Sequence, residues 1–299
     1  MDNTQTFTQY RPFMFSIAYR MLGSVVEAED IVQDAFLRWR ETAEEEIRSP
    51  KSYLATIVTR LSIDRLRSAQ IQRESYIGPW LPEPLISEKG KSTAEIVSTA
   101  EHISMAFLVL LEKLSPVERA VFLLREVFDY DYAGIAEIVD KSEANCRQIA
   151  RRARQQVDTG HGRFDASPEK QQEIVQQFMH TCATGDLPGL INLLADDIAI
   201  YSDGGGKVTA ARKPILGRQK VATFLLNLVR QAPPDVSIQP AWINGRFGLI
   251  VYFGRTPQAA YSFVVEGDKI QRMLVVVNPD KLTDIPPLAG NTETRHNMI

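Results

Sequence analysis

The sequence has few cysteines and no long apolar run. Its two cysteines, Cys146 and Cys182, lie far apart and in no metal-ligand spacing. They predict neither a disulfide nor a structural zinc site, and they suit a reducing compartment. No stretch approaches the roughly 18 apolar residues that cross a membrane, and the first ten residues lack the basic and apolar segments of a secretory leader. We therefore expect a protein of the cytoplasm.

The sequence also has no excess of positive charge, since 34 basic residues are set against 37 acidic ones. A net charge of -3 does not exclude a nucleic-acid partner, because the clustering of cations matters more than their total. The composition is that of an ordinary soluble protein. A length of 299 residues allows two or three domains.

The N-terminal segment has the apolar periodicity of helices. Apolar residues recur at helical spacing from Phe7 to Leu22, and Gly23 predicts the stop. Ser24 and Glu27 form a capping-box pattern for a second helix. A third helix is predicted from Pro50 towards Arg73. Its cations are Lys51, Arg60, Arg65, Arg67 and Arg73. They favour a phosphate-facing helix, although a merely solvated face has the same pattern.

A second helical segment follows a linker rich in proline and glycine. Ser115-Pro116 predicts a helix start, and the helix 132–139, a turn at Asp140-Lys141 and a helix capped by Ser142 form a helix-turn-helix pattern. The second helix has an outward basic face. Glu143, Arg147 and Gln148 are candidates to read bases, and Arg151, Arg152 and Arg154 to bind phosphates. The alternative is a helical hairpin that only packs.

The last third changes to mixed elements after a boundary near residues 160–167. Helices are predicted at 168–184, 187–194 and 218–231, with a strand at 197–203 between the second and third. Four further strands are predicted at 236–243, 247–253, 259–266 and 269–277, with turns at Asn244-Gly245 and Gly267-Asp268. We expect a curved antiparallel sheet.

Three stretches of the helical segments carry a resemblance: residues 28–38, AEDIVQDAFLR, residues 53–67 and residues 110–157. The first two resemble region 2 of the extracytoplasmic-function sigma factors of the sigma-70 family, and the third resembles region 4, which reads the -35 element. The resemblance implies core RNA polymerase and promoter DNA as partners. The implied polymerase-binding residues are Asp30, Gln33, Asp34 and Leu37. The implied -10 residues are Lys51, Tyr53, Arg60, Arg65 and Arg67, and the -35 residues are Ser142, Glu143, Asn145, Arg147, Gln148, Arg151, Arg152 and Arg154. Arg60 stands where many members carry Asn, and Asp140 replaces the usual turn glycine.

The C-terminal third resembles the SnoaL-like, nuclear transport factor 2-like cone. Three motifs together resemble one sigma subgroup, in which this extension replaces a separate anti-sigma protein. The implied regulatory residues are Trp80, Leu81 and Pro82, then Asp203, Gly204, Gly205, Gly206 and Lys207, and finally Asn278, Pro279, Asp280 and Lys281. Each motif has a simpler interpretation. The glycines suit a tight loop, Asn278-Pro279 suits a strand end, and Trp80 suits a plug in an intramolecular groove.

We therefore predict two all-α domains followed by an α+β cone-shaped domain. Residues 1–73 form region 2, 74–97 a linker, 98–160 region 4 and 161–299 the SnoaL-like domain with its tail. The predicted function is promoter recognition for RNA polymerase, regulated in cis by the C-terminal domain. The alternatives are a SnoaL-like enzyme, with Asp203 as the best available base, or a small-molecule sensor. We predict no catalytic residue, metal or cofactor.

Overall fold

The structure is a computed structural model that describes residues 3–42, 47, 49–87, 104–158 and 166–289. The chain divides into two compact units. The helical unit comprises Met1–Tyr76 and Trp80–Phe164, and the C-terminal unit comprises Ile77–Pro79 and Asp165–Ile299. Among the described residues, no helix has the length and apolar character needed to span a membrane.

Three helices begin the helical unit: α1 (Asn3–Leu22), α2 (Val25–Glu41) and α3 (Pro50–Glu74). Gly23 ends α1 as predicted, with a left-handed φ of 69°, a conformation that glycine adopts without steric cost. The first half of the predicted capping box forms, because the Ser24 hydroxyl accepts the Glu27 amide at 3.2 Å. A carboxylate from the linker, that of Glu83, accepts the Val25 amide beside it.

Four further helices of this unit lie among the described residues: α4 (Met105–Leu111), α5 (Pro116–Glu126), α6 (Tyr132–Val139) and α7 (Glu143–Asp158). A two-residue strand, β1 (Ile86–Ser87), precedes them. The helix expected from residue 98 begins at Met105 after a Ser104 cap, and residues 98–103 lie outside the described residues. Ile17, Leu54, Leu111 and Leu123 belong to one buried cluster. The segments predicted as regions 2 and 4 therefore share a core.

The described part of the C-terminal unit combines three helices with a sheet. The helices are α8 (Pro168–Thr184), α9 (Leu187–Leu193) and α10 (Arg218–Arg230). The strands are β2 (Leu194–Asp203), β3 (Ile215–Leu216), β4 (Val236–Ile243), β5 (Arg246–Phe253), β6 (Thr256–Glu266) and β7 (Lys269–Val276). A short 3-10 helix, Pro279–Lys281, follows β7.

The strands of this unit are hydrogen-bonded in the order β4-β5-β6-β7-β2-β3. The meander from β4 to β7 is antiparallel as expected, and its β4–β5 turn has Asn244 and Gly245 at φ 51° and 70°, as a two-residue hairpin of the primed type requires. The direction of β2 was not part of that prediction, and β2 runs parallel to β7. The long connection between these two strands permits that direction.

The sheet packs its apolar side against α8 and α10, with Phe178, Leu225 and Met273 in the common core. This order of two helices, a strand, a helix and a four-stranded meander is the one predicted for the cone. The predicted fold class, helical modules followed by an α+β domain, is confirmed.

Candidate nucleic-acid interface

The helix-turn-helix forms at the predicted place. The Asp131 carboxylate caps α6 by accepting the Gly134 amide at 2.8 Å. Asp140 takes the left-handed conformation, with φ 53° and ψ 60°, which a short polar side chain tolerates. The Ser142 hydroxyl then accepts the Asn145 amide at 3.3 Å and starts α7. Asp140 therefore takes the role expected of a turn glycine.

Helix α7 divides into a buried and an exposed face. The buried residues are Cys146, Ile149, Ala150, Ala153 and Val157. All eight residues predicted to contact the -35 element are exposed, namely Ser142, Glu143, Asn145, Arg147, Gln148, Arg151, Arg152 and Arg154. Helix α7 therefore presents a cationic surface to solvent, and this surface begins directly after the loop at Asp140-Lys141.

Three arginines of α7 pair with carboxylates at the surface. Arg147 pairs with Glu143 at 2.8 Å, and Arg152 lies 3.9 Å from Glu118. Arg154 pairs with Glu126. Surface pairs of this kind contribute little to stability. These guanidinium groups can therefore exchange a carboxylate for a phosphate at little cost.

The predicted -10 residues on α3 are in different surroundings. Lys51, Arg60 and Arg67 are exposed, whereas Tyr53 and Arg65 are half-buried. Arg67 pairs with Asp64 at 3.0 Å, Arg65 lies 3.8 Å from Glu27, and the Tyr53 hydroxyl is 2.6 Å from that of Thr42. The Lys51 ammonium lies 4.9 Å from the centre of the Phe13 ring.

Arg60 has partners on another helix. Its Nε donates to the carbonyl of Ile138 at 2.9 Å, and its Nη2 donates to that of Glu137 at 2.8 Å. Both carbonyls lie in the last turn of α6. A residue predicted to contact DNA is thus hydrogen-bonded to the helix-turn-helix.

Arg73 was predicted to be one of five phosphate-facing cations on α3, but the structure places it against groups of the helical unit. Its guanidinium lies 3.5 Å from the centre of the Trp80 ring, donates to the Leu22 carbonyl at 2.8 Å and pairs with Glu112. The reason is its position near the end of α3, where it meets the carboxyl end of α1. Arg73 is therefore a structural residue.

Arg119 was not among the predicted residues, yet it shares Glu112 with Arg73. Its side chain is 1% exposed and donates to the carbonyls of Met21 and Leu111 and to the Glu112 carboxylate. Burial lowers the pKa of Arg119, and Glu112 opposes that shift. The signal in the sequence is an arginine within the apolar stripe of α5. We call Arg73, Glu112 and Arg119 the arginine hub.

The linker motif docks within the helical unit. A Cβ on Gly23 would lie 2.8 Å from the Trp80 ring, so this aromatic needs a glycine beneath it. Leu81 is 1% exposed, and Pro82 is also buried. Glu83 donates its amide to the Gly23 carbonyl at 2.8 Å and accepts the Ser24 hydroxyl at 2.9 Å. These contacts support the interpretation of Trp80 as a plug.

The two C-terminal motifs meet in the C-terminal unit. The Asp203 carboxylate, which is fully buried, pairs with Lys281 at 2.8 Å and accepts the Gly205 amide at 3.1 Å. Lys207 pairs with Asp280 at the surface. The sequence interpretations as tight turns also hold, because Gly205 and Gly206 have positive φ and Asn278 caps a 3-10 turn whose first residue is Pro279.

The glycine loop also receives a linker residue. A Cβ on Gly206 would lie 2.8 Å from the side chain of Ile77. Ile77 belongs to the C-terminal unit and Trp80 to the helical unit. Neighbouring linker residues are therefore held in different units.

A cavity of about 490 Å³ opens between α10 and the sheet of the C-terminal unit. Its wall is mainly apolar and includes Phe224, Leu228, Ile238 and Phe253. Its polar side chains are Ser202, Thr209, Gln231, Gln258 and Tyr261. Burial raises the pKa of Tyr261 to about 12. The described residues that line the cavity include no carboxylate, histidine, lysine or arginine.

Comparison with known proteins agrees along nearly the whole chain. Residues 6–71 match the family Sigma-70 region 2, and residues 104–157 match Sigma-70, region 4. The ECF RNA polymerase sigma factor SigJ of Mycobacterium tuberculosis (strain ATCC 25618 / H37Rv) is 36% identical, covering 94% of this chain and 93% of its own. The probable ECF RNA polymerase sigma factor SigI of the same strain is 27% identical, covering 91% and 92%.

A solved structure supports the same comparison. The crystal structure of the Mycobacterium tuberculosis extracytoplasmic function sigma factor SigJ has a TM-score of 0.77 with this chain at 33% identity. It covers 94% of this chain and 98% of that one. The similarity therefore includes the C-terminal unit as well as the helical one.

Proposed function

Because the chain belongs to the extracytoplasmic-function sigma factors of the sigma-70 family, we propose that α7 reads the -35 element, that α3 contacts the -10 element, and that the C-terminal unit controls both in cis. The protein is an RNA polymerase sigma factor, which recognises promoters and directs transcription initiation with core enzyme. The row of exposed arginines on the second helix of the helix-turn-helix carries the residue-level proposal.

At the -35 element, the roles follow from position along α7. Glu143, Arg147 and Gln148 lie near its amino end, which enters the major groove in this class of motif, so we assign them to base edges. Arg151, Arg152 and Arg154 lie further along and are assigned to phosphates. Ser142 and Asn145 lie at the start of the helix, beside the turn. We assign them to contacts with the DNA backbone that position α7.

At the -10 element, we assign backbone contacts to Lys51, Tyr53, Arg60, Arg65 and Arg67. Their exposed cations supply the electrostatic part of the affinity, which depends on salt because bound counterions are released. For core polymerase, we assign the outer face of α2. Asp30, Gln33, Asp34 and Leu37 are all exposed there, and Leu37, at 56% exposure, is a large apolar side chain at the surface of the helical unit.

Control by the C-terminal unit is supported by the linker. Its residues Trp80, Leu81 and Pro82 pack in the helical unit, whereas Ile77 packs on the glycine loop that Asp203 and Lys281 stabilise. A change in that loop would therefore reach the linker directly. In this proposal Gly204, Gly205, Gly206 and Lys207 act with Asn278, Pro279 and Asp280 as one regulatory site.

The C-terminal unit is proposed to act without catalysis. Asp203, the best candidate base, is fully buried and paired with Lys281, and it is not among the residues that line the cavity. A general base must reach the proton that it removes. This carboxylate is committed to holding two loops together.

A second candidate function, ligand sensing, is favoured by the cavity. Its volume of about 490 Å³ lies in the range of small-molecule sites. An uncharged wall suits a neutral, mainly apolar molecule, because burying a charge there would go uncompensated. Nile red, a neutral apolar dye, is a suitable probe. Its fluorescence with the protein should fall on Leu228→Lys, which puts a charge at the exposed rim, and an unchanged signal would count against sensing.

Run-off transcription with purified core polymerase tests the main proposal. Full-length protein is compared with a chain that ends at residue 165, on a cognate promoter found with a genomic fragment library. We expect the truncation to change the transcription rate while binding to core enzyme persists. An unchanged rate removes the regulatory role, and a full-length protein that fails to bind core enzyme removes the proposed polymerase and promoter contacts.

A further inference from the structure

Arg60 joins the two promoter-reading segments within the helical unit. It projects from the middle of α3, and its two hydrogen bonds end on the Glu137 and Ile138 carbonyls of α6. The last carbonyls of a helix have no partner within the helix. A cation there is also favoured by the helix dipole. Arg60 therefore acts as a cap supplied by another helix.

This cap lies next to the turn that positions α7, the recognition helix of the helix-turn-helix. Asp140 follows Val139, the last residue of α6, and Ser142 begins the cap of α7. The turn amide of Lys141 bonds to the Ala136 carbonyl at 3.1 Å. Arg60 thus binds the two carbonyls that follow the one used by the turn itself.

One guanidinium group cannot keep these bonds and also bind a DNA phosphate in the same geometry. We propose that Arg60 is a latch, whose side chain either holds the carboxyl end of α6 against α3 or contacts the -10 element. The latch rests on the -10 role assigned to Arg60 under the proposed function. The helix-turn-helix must then leave α3 before Arg60 can contact the -10 element.

The distance between the two promoter elements requires the helix-turn-helix to separate from α3. The -10 and -35 positions are about 25 base pairs apart, or roughly 85 Å at about 3.4 Å per base pair. A compact unit of about 160 residues has a radius of gyration of about 15 Å and a width of roughly 40 Å. The two segments must therefore separate before both elements are bound at once.

The latch and the arginine hub differ in how readily they open. Arg60 is exposed, so water can replace part of what its two bonds contribute. Arg119 is 1% exposed and also donates to the Met21 carbonyl of α1, so breaking its contacts would leave buried groups without partners. The contact between α3 and α6 at Arg60 is therefore expected to open before the contacts of Arg119.

Hydrogen exchange in the full chain tests the latch. The peptide 132–142 is followed by mass spectrometry in wild type, Arg60→Ala, Arg60→Lys and the control Arg67→Ala, which removes another proposed -10 cation on the same helix. Losing two hydrogen bonds to a charged group should raise local exchange by about five- to thirtyfold in Arg60→Ala. Arg60→Lys keeps the charge without the planar fork and should lie between, and Arg67→Ala should match wild type.

The outcomes separate the latch from the DNA role. Equal exchange in Arg60→Ala and wild type, or an equal rise in Arg67→Ala, overturns the latch. Open-complex formation with core polymerase and promoter DNA is measured in parallel. Arg60→Ala could show faster hydrogen exchange in peptide 132–142 and yet support open-complex formation as wild type does. In that case Arg60 has no -10 contact, so the proposed switch between α6 and DNA is overturned, while the cap on α6 stands.

Discussion

The arginines of α7 and those of the arginine hub lie in opposite surroundings within the helical unit. On α7, the guanidinium groups of Arg147, Arg152 and Arg154 are exposed and meet carboxylates at the surface. In the arginine hub, Arg119 is buried and Arg73 largely so, and both donate to main-chain carbonyls and share Glu112. The difference shows that burial and carbonyl partners, more than residue type, distinguish an arginine that holds a fold from one available to a ligand.

The largest expected effect comes from the hub. Arg119→Met should lower the free energy of unfolding by about 3 to 5 kcal/mol, because it leaves buried carbonyls and a carboxylate short of a partner. Urea denaturation followed by circular dichroism measures the change. The matched control, Arg151→Met on the exposed face of α7, should stay within about 0.5 kcal/mol. Similar losses in the two variants would erase the contrast between hub and recognition helix.

The buried pair of the C-terminal unit extends the comparison. Asp203→Asn should destabilise that unit by about 3 kcal/mol, because Lys281, whose side chain is 8% exposed, would lose the opposite charge of Asp203. Asp280→Asn, which breaks the exposed pair with Lys207, is the control and should change stability by less than about 1 kcal/mol.

Thiol labelling near pH 8 assigns the loss to one unit. Burial raises the pKa of Cys182 to about 12. At pH 8 its reactive thiolate therefore becomes abundant only when the C-terminal unit unfolds. Cys146 lies in the helical unit and is also buried. Asp203→Asn should speed the labelling of Cys182 and leave Cys146 unchanged. Equal acceleration at both thiols would show that the pair does not stabilise the C-terminal unit alone.

On the recognition helix, the expected effects concern DNA. Arg147→Ala should weaken the free energy of DNA binding by about 1 to 3 kcal/mol and relax selectivity at one position of the -35 element. Arg152→Ala should weaken binding to all DNA sequences alike, and it should reduce the slope of log affinity against log salt concentration by about 1. Holoenzyme binding to promoter variants at several salt concentrations distinguishes the two. If both variants lose affinity evenly across sequences, Arg147 is a phosphate contact.

The smallest expected effect is on stability at the same helix. Arg154→Gln removes the surface pair with Glu126 and should change the free energy of unfolding by less than about 0.5 kcal/mol. Urea denaturation is again the measurement. A loss near that of Arg119→Met would mean that recognition-helix arginines also hold the fold.

Much of the fold was predictable because its signals are local. Helix stripes, the Ser142 cap and the Asn244-Gly245 turn depend on residues within a few positions of one another. The exposed face of α7 follows from the same periodicity. The paired direction of β2 and β7 was not predictable, because it depends on strands about seventy residues apart in the sequence and on how the sheet closes.

The site was predictable in its surface but not in its interior. Periodicity places Arg147 outward on α7, yet it does not tell Arg60, which bonds to α6, from Arg67, which pairs within its own helix. Nor does it reveal that Glu83 of the linker accepts the Val25 amide. These partners are 58 to 78 positions away.

The sequence by itself determined the helix-turn-helix, the order of the elements and the cationic face of α7, because each of these depends on spacing along one short segment. Only the tertiary structure decided that Arg73 and Arg119 share Glu112, that Asp203 pairs with Lys281, and that Arg60 binds the end of α6. The reason is physical. A side chain's role depends on which distant groups surround it and on how much water they exclude.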